Sequence, residues 1–184
     1  DFLIERGITP TYHMDLDARP HKTGFMTRPT AGVKYFLSTH IHPSYIGKLQ
    51  EAGIEPALFH GGIDKNARHD PRYPVVKVRY DAGVQAAELA YQWMGYREQH
   101  WFGIDYGAVG GQTHAGHHGG VTSEDCLVDV NGRMFESTQL FFHGLLLAEE
   151  FFCDRAVVRC TIHGDGLLGH FLKDRGRTKV LVAP

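Results

Sequence analysis

The chain has 184 residues, 42% hydrophobic and 22% charged, which is ordinary globular usage. Lys and Arg number 19 against 21 Asp and Glu, a formal net charge of −2 that gives no footprint for binding a nucleic-acid backbone. No apolar run approaches the roughly 20 residues a membrane-spanning helix needs, and the three cysteines, without CxxC spacing, make neither a disulfide framework nor a structural zinc site.

The departures from average are 13 His and 22 Gly, where even usage would give about nine of each. Cys126, Cys153 and Cys160 read as buried thiols in a reducing compartment. The chain opens on Asp1 with no initiator Met, as a trimmed chain or part of a longer one would, and carries no basic-then-apolar leader, so the cytoplasm is the expected location.

Residues 1–32 are punctuated by Pro10, Pro20 and Pro29, which predicts an irregular segment with at most a short strand near 11–14. Val33 to Thr39 is rich in β-branched and aromatic residues and reads as a buried strand. Pro43 then opens a helix that runs to Ala52 and stops at Gly53, and Pro56 to Phe59 is a second strand. This is a strand–helix–strand unit of parallel type. Further on the sequence predicts a strand over 75–80, an amphipathic helix over 84–94 and a strand over 101–106. A Gly/His loop over 108–120 precedes a hairpin that turns at Asn131-Gly132. A long helix over 138–152 and strands over 156–163 and 179–182 complete the chain. The economical architecture is one α/β domain over 33–184, with mixed sheets flanked by helices.

Thr39-His40-Ile41-His42 sits where a strand gives way to a helix. Residues i and i+2 of an extended segment share a face, so two imidazoles at that spacing can close on one metal ion. The plain alternative is two polar side chains hydrogen-bonded to backbone at a strand exit. A second cluster, His114-Ala115-Gly116-His117-His118-Gly119-Gly120, has glycines that let the backbone turn a side chain into a crowded site.

Together these segments resemble the metallo-β-lactamase fold. Thr39-His40-Ile41-His42-Pro43-Ser44-Tyr45-Ile46-Gly47-Lys48-Leu49 is similar to that family's first metal motif, and Gly116-His117 to its second. Gly132-Arg133-Met134-Phe135 and Gln139-Leu140-Phe141-Phe142 resemble the strand and turn that carry its bridging Asp. Ser44, Tyr45 and Gln139 stand where the family has Asp, His and Asp. The resemblance implies a metallo-β-lactamase-like sandwich with one metal site of His40, His42 and His117, with His163 matching the last family His. The expected cofactor is zinc, with iron as the alternative. The implied activity is hydrolysis of an ester, thioester, amide or phosphodiester by metal-activated water, on a small and anionic substrate. Tyr45, His118 and Asp165 are the candidate proton donors.

Two other readings compete. Thr11-Tyr12-His13-Met14, Lys34 to Thr39 and Tyr73 to Asp81 resemble strands of the small ADP-ribosyltransferase fold, which implies that His13 and Tyr35 cradle NAD and that Glu136 activates the nucleophile. Alternatively the chain is a non-catalytic subunit that has lost acidic ligands, with Trp93, Tyr96, Trp101 and Phe102 meeting a protein partner or a second copy. Phe141, Phe142, Phe151 and Phe152 read as core.

Overall fold

The computed structural model describes residues 2–62, 70–77, 79, 81–108, 125–174 and 178–182, and within them the chain is a mixed α/β protein with parallel and antiparallel sheets. It divides into two units, residues 1–88 and 89–184.

The first unit contains α1 (Phe2–Glu5), β1 (Tyr12–Asp15), a 3₁₀ turn (Pro20–Phe25), β2 (Lys34–Ser38), α2 (Pro43–Glu51), β3 (Ala57–Gly62) and β4 (Val75–Lys77). The four strands form one parallel sheet in the order β1-β2-β3-β4. The short strand expected near 11–14 forms as β1, which pairs with β2 along its whole length, Tyr12 against Lys34 through Asp15 against Leu37. The prolines of residues 1–32 lie outside the strand, and Pro20 starts the 3₁₀ turn, where a missing N–H costs nothing.

Helix α2 follows its predicted boundaries. Pro43 occupies its first turn and His42 caps it, the Nδ1 atom accepting the Ser44 N–H at 3.3 Å. At the other end Gly53 takes φ +71°, which lets Gly53 N–H donate to Gln50 O (2.9 Å) and Ile54 N–H to Leu49 O (2.8 Å). This pair of bonds is the Schellman arrangement, and it satisfies carbonyls the helix end would otherwise leave open. Leu49 and Tyr45 of α2 pack on Tyr35 and Leu37 of β2, with Met26, Val33 and Ile41 completing the core.

Helix α3 (Ala82–Gln92) carries the chain into the second unit, which holds β5 (Glu98–Phe102), β6 (Asp125–Val130), β7 (Arg133–Thr138), α4 (Gln139–Asp154), β8 (Arg159–His163), α5 (Leu167–Lys173) and β9 (Thr178–Val182). β5 and β8 pair in parallel, and β7-β6-β9 form an antiparallel sheet. The hairpin turns at Asn131 (φ 54°) and Gly132 (φ 85°), the positive angles that Asn-Gly tolerates. Thr138 caps α4, its hydroxyl accepting the Phe141 N–H at 3.1 Å.

Two predicted strands shift. The strand placed at 101–106 runs from Glu98 to Phe102, because Gly103 (φ 69°) and Tyr106 (φ 56°) leave the extended region. The one placed at 156–163 begins only at Arg159, since a turn closed by Val158 N–H to Arg155 O (2.8 Å) precedes it. Phe151 is fully buried, while Phe141, Phe142 and Phe152 are half-buried. All three cysteines are free thiols: Cys126 is buried, Cys160 half-buried and Cys153 exposed, so the expected burial holds for the first alone. No described helix is long and apolar enough to cross a membrane.

Candidate functional site

Within the first unit, β1 and β2 bring chemistry together. Parallel register sets His13 directly opposite Tyr35, with ring centroids 5.3 Å apart. Both rings line a cavity of about 160 Å³ that is otherwise walled by apolar side chains, among them Phe25, Met26 and Val33, with Arg28 also on its lining. The Thr30 N–H donates to the Tyr35 hydroxyl at 2.9 Å, which fixes that phenol in place. Behind the cavity, His13 Nε2 lies 2.8 Å from the Tyr45 hydroxyl.

The electrostatics follow from burial. His13 has a pKa below its ordinary 6.5, because desolvation disfavours the imidazolium more than the nearby Asp15 carboxylate favours it. It is therefore neutral at neutral pH. Burial, and next the Asp15 carboxylate, push the Tyr45 hydroxyl well above the usual phenol range, so Tyr45 keeps its proton. Asp15, two residues from His13 on the same strand face, lies near enough for its charge to act on both His13 and Tyr45. The result is an imidazole–phenol pair, with a carboxylate nearby, at the wall of an apolar pocket.

The residues predicted for a metal site have these positions. His40 is exposed in the turn after β2, its backbone N–H donating to Ser38 Oγ at 3.2 Å. His42 is half-buried and spends Nδ1 on the α2 cap and on Ser44 Oγ, 2.7 Å away. His117 and His118 lie outside the described residues. His163, on β8 of the second unit, stacks on Phe102 with centroids 4.1 Å apart and lies 2.8 Å from His100 through the ring nitrogens. Among the described residues no three His, Cys, Asp or Glu side chains form a group that could hold a metal ion.

Of the predicted proton donors, Tyr45 pairs with His13. Asp165 belongs to a separate surface cluster of the second unit, where Arg133 binds its carboxylate at 2.7 and 3.0 Å and His170 Nε2 lies 2.7 Å away. Arg133, and after it His170, hold that carboxyl well below the usual carboxylate range, so it is ionised at neutral pH. Glu136 lies on β7, and its backbone carbonyl accepts the Ala108 N–H at 2.7 Å. Trp93, Tyr96 and Phe102 are exposed, whereas Trp101 is 4% exposed and packs on Phe151 and Phe152.

Compared with known protein families, with curated proteins and with solved structures, the chain matches none. The fold class is mixed α/β. Sequence reasoning named His13, Tyr35 and Tyr45 but assigned Tyr45 to a different site, and it passed over Asp15 and Arg28. The signal for Asp15 was present in Tyr12-His13-Met14-Asp15, where the i, i+2 spacing of a strand puts His13 and Asp15 on one face.

Proposed function

We propose that the first unit takes NAD as a substrate, seats the nicotinamide ring in the His13–Tyr35 cavity and transfers the ADP-ribosyl group to an acceptor. The observation that carries this reading is the shared cavity: the two residues that the ADP-ribosyltransferase resemblance implies are opposite each other in register and line the same apolar pocket. Its volume of about 160 Å³ suits one six-membered ring. Nicotinamide bound as the ribosyl derivative is a cation. The face of Tyr35 attracts such a ring, and a neutral His13 does not repel it. Arg28 on the lining supplies a positive charge suited to the diphosphate.

In the reaction the bond from ribose C1′ to the nicotinamide nitrogen breaks, and its electron pair stays on the nicotinamide. The acceptor forms the new bond to C1′ and gives up its proton. We assign the role of base receiving that proton to His13, which is uncharged and paired with the Tyr45 hydroxyl at 2.8 Å. Calorimetry with the full chain tests binding, and chromatography of released nicotinamide tests turnover. NAD and nicotinamide are expected to compete for one site, with His13→Ala and Tyr35→Ala each at least about tenfold weaker. Wild-type binding by both variants, or no NAD binding at all, overturns the reading.

A metal-dependent hydrolase built on His40, His42 and His117 is the second reading. It rests on His40 and His42 following β2 two residues apart, with the His42 ring held in place at Nδ1 by Ser44. Elemental analysis of protein made without a His tag tests it. Stoichiometric zinc or iron that disappears in a His40→Ala/His42→Ala variant supports it, and metal content unchanged by that variant removes it.

A further inference from the structure

We propose that His100 and His163 form a chelating pair for one late first-row divalent cation, Cu²⁺ or Zn²⁺, on the open face of the β5–β8 ribbon. The pair is independent of the His13 cavity and of His40 and His42. In the parallel register His100 faces Thr161 and Phe102 faces His163, so the two imidazoles are diagonal neighbours on adjacent strands. Their ring nitrogens, Nδ1 of His100 and Nε2 of His163, are 2.8 Å apart. Without a cation, that spacing is held by one shared proton, which a metal ion replaces.

The dimensions suit this exchange. Two bonds of about 2.0–2.1 Å to one ion subtend a 2.8 Å separation at roughly 85°, and widening the pair by about half an ångström gives the tetrahedral angle. The two rings meet end to end, with centroids 5.1 Å apart, so each exposed side chain turns to aim its nitrogen at a shared ion. Phe102 lies parallel to His163 at 4.1 Å with planes 7° apart, which fixes the plane of the second ligand. The carboxylate of Glu98 is 3.9 Å from His100 Nε2, the nitrogen that would not bind metal, and Arg159 holds that carboxylate at 3.0 Å. At that distance the carboxylate makes no hydrogen bond to the ring, and it places negative charge near the bound cation. Both His side chains are exposed, so an ion has an open approach and water fills its remaining positions. Imidazole is a preferred ligand for both ions, and the order of stabilities places Cu²⁺ above Zn²⁺.

The test uses the full, tag-free chain titrated with Cu²⁺, read by calorimetry and by the nitrogen hyperfine pattern in electron paramagnetic resonance. His100→Gln and His163→Gln should each lose the same one equivalent of Cu²⁺ and its two-nitrogen signature, and the double variant should lose no more. The His40→Ala/His42→Ala protein should keep that equivalent, and Zn²⁺ should displace Cu²⁺ from it at higher concentration. Metal-free unfolding midpoints close to wild type establish that the variants fold. Retention of all equivalents by either His variant, or loss in one variant only, overturns the proposal.

Discussion

The Nε2 atom of His13 lies 2.8 Å from the Tyr45 hydroxyl although 32 residues separate the two, which ties the first strand of the parallel sheet to the first turn of α2. Tyr45 is 2% exposed, so its hydroxyl serves the protein interior and not solvent. Tyr45→Phe keeps the ring in the core but leaves a largely buried imidazole nitrogen without its partner. The expected loss is about 1–3 kcal/mol of stability, the cost of an unmade buried hydrogen bond. Urea unfolding of the two proteins measures it. The same variant should bind NAD more weakly than wild type, because the His13 ring is no longer held against the cavity wall.

Acid should weaken the fold through His13. Its folded pKa is depressed below the ordinary 6.5 by burial, so between the two values the unfolded chain binds more protons than the folded one. Stability therefore rises with pH in that window. The contribution is fully present above about pH 6.5 and is lost as pH falls through the folded value. Urea midpoints between pH 7.5 and 5 should fall more steeply for wild type than for His13→Gln. Parallel slopes would show that His13 is not the group responsible.

How much of this was legible in the sequence differs element by element. The Asn131-Gly132 hairpin and the cap of α2 were readable, because local turn chemistry and Gly53 specify them without help from distant residues. Helix α5 was not, since Gly164, Gly166 and Gly169 break the apolar period that Leu167, Leu168 and Phe171 would otherwise display. Those three residues are buried, so packing overrides the weak local preference of the segment. In the site, His13 and Tyr35 could be named from residue type alone, but their pairing depends on a parallel register between strands 22 residues apart, as His13 opposite Tyr35 shows. The link from Tyr45 to His13 and Asp15 requires α2 to fold back over that register, which no short motif encodes.

A buried ion pair in the first unit gives a third test. Arg79 donates from Nε and Nη2 to Glu88 Oε2 at 3.1 and 3.0 Å, and the two side chains are 1% and 0% exposed. Removing one partner strands a charge in the interior, so Glu88→Ala should cost about 3–5 kcal/mol. Replacing both by apolar residues, as in Arg79→Met/Glu88→Leu, removes the stranded charge and should recover most of that loss. Chemical unfolding of the single and double variants separates the two outcomes. A double variant as unstable as Glu88→Ala would mean that the pair is held by more than its own charge balance.

Gly144 of α4 offers the last test, in the second unit. A Cβ built at that position would stand 2.7 Å from Cε1 of Tyr106, nearer than real Cβ atoms approach a neighbour. Tyr106 is 5% exposed and packs edge-on to Phe141, with ring centroids 6.4 Å apart, so its ring has little room to withdraw. Alanine normally stabilises a helix relative to glycine by about 1 kcal/mol, so propensity and packing act in opposite directions here. Overpacking of this kind costs about 1–3 kcal/mol, and Gly144→Ala should therefore be neutral to destabilising. In a Tyr106→Leu background the obstructing ring is gone. There the same Gly144→Ala change should stabilise the protein, as helix propensity alone demands. A double-mutant cycle in urea gives the coupling directly, and equal effects of Gly144→Ala in both backgrounds would show that the glycine is not kept for the Tyr106 ring.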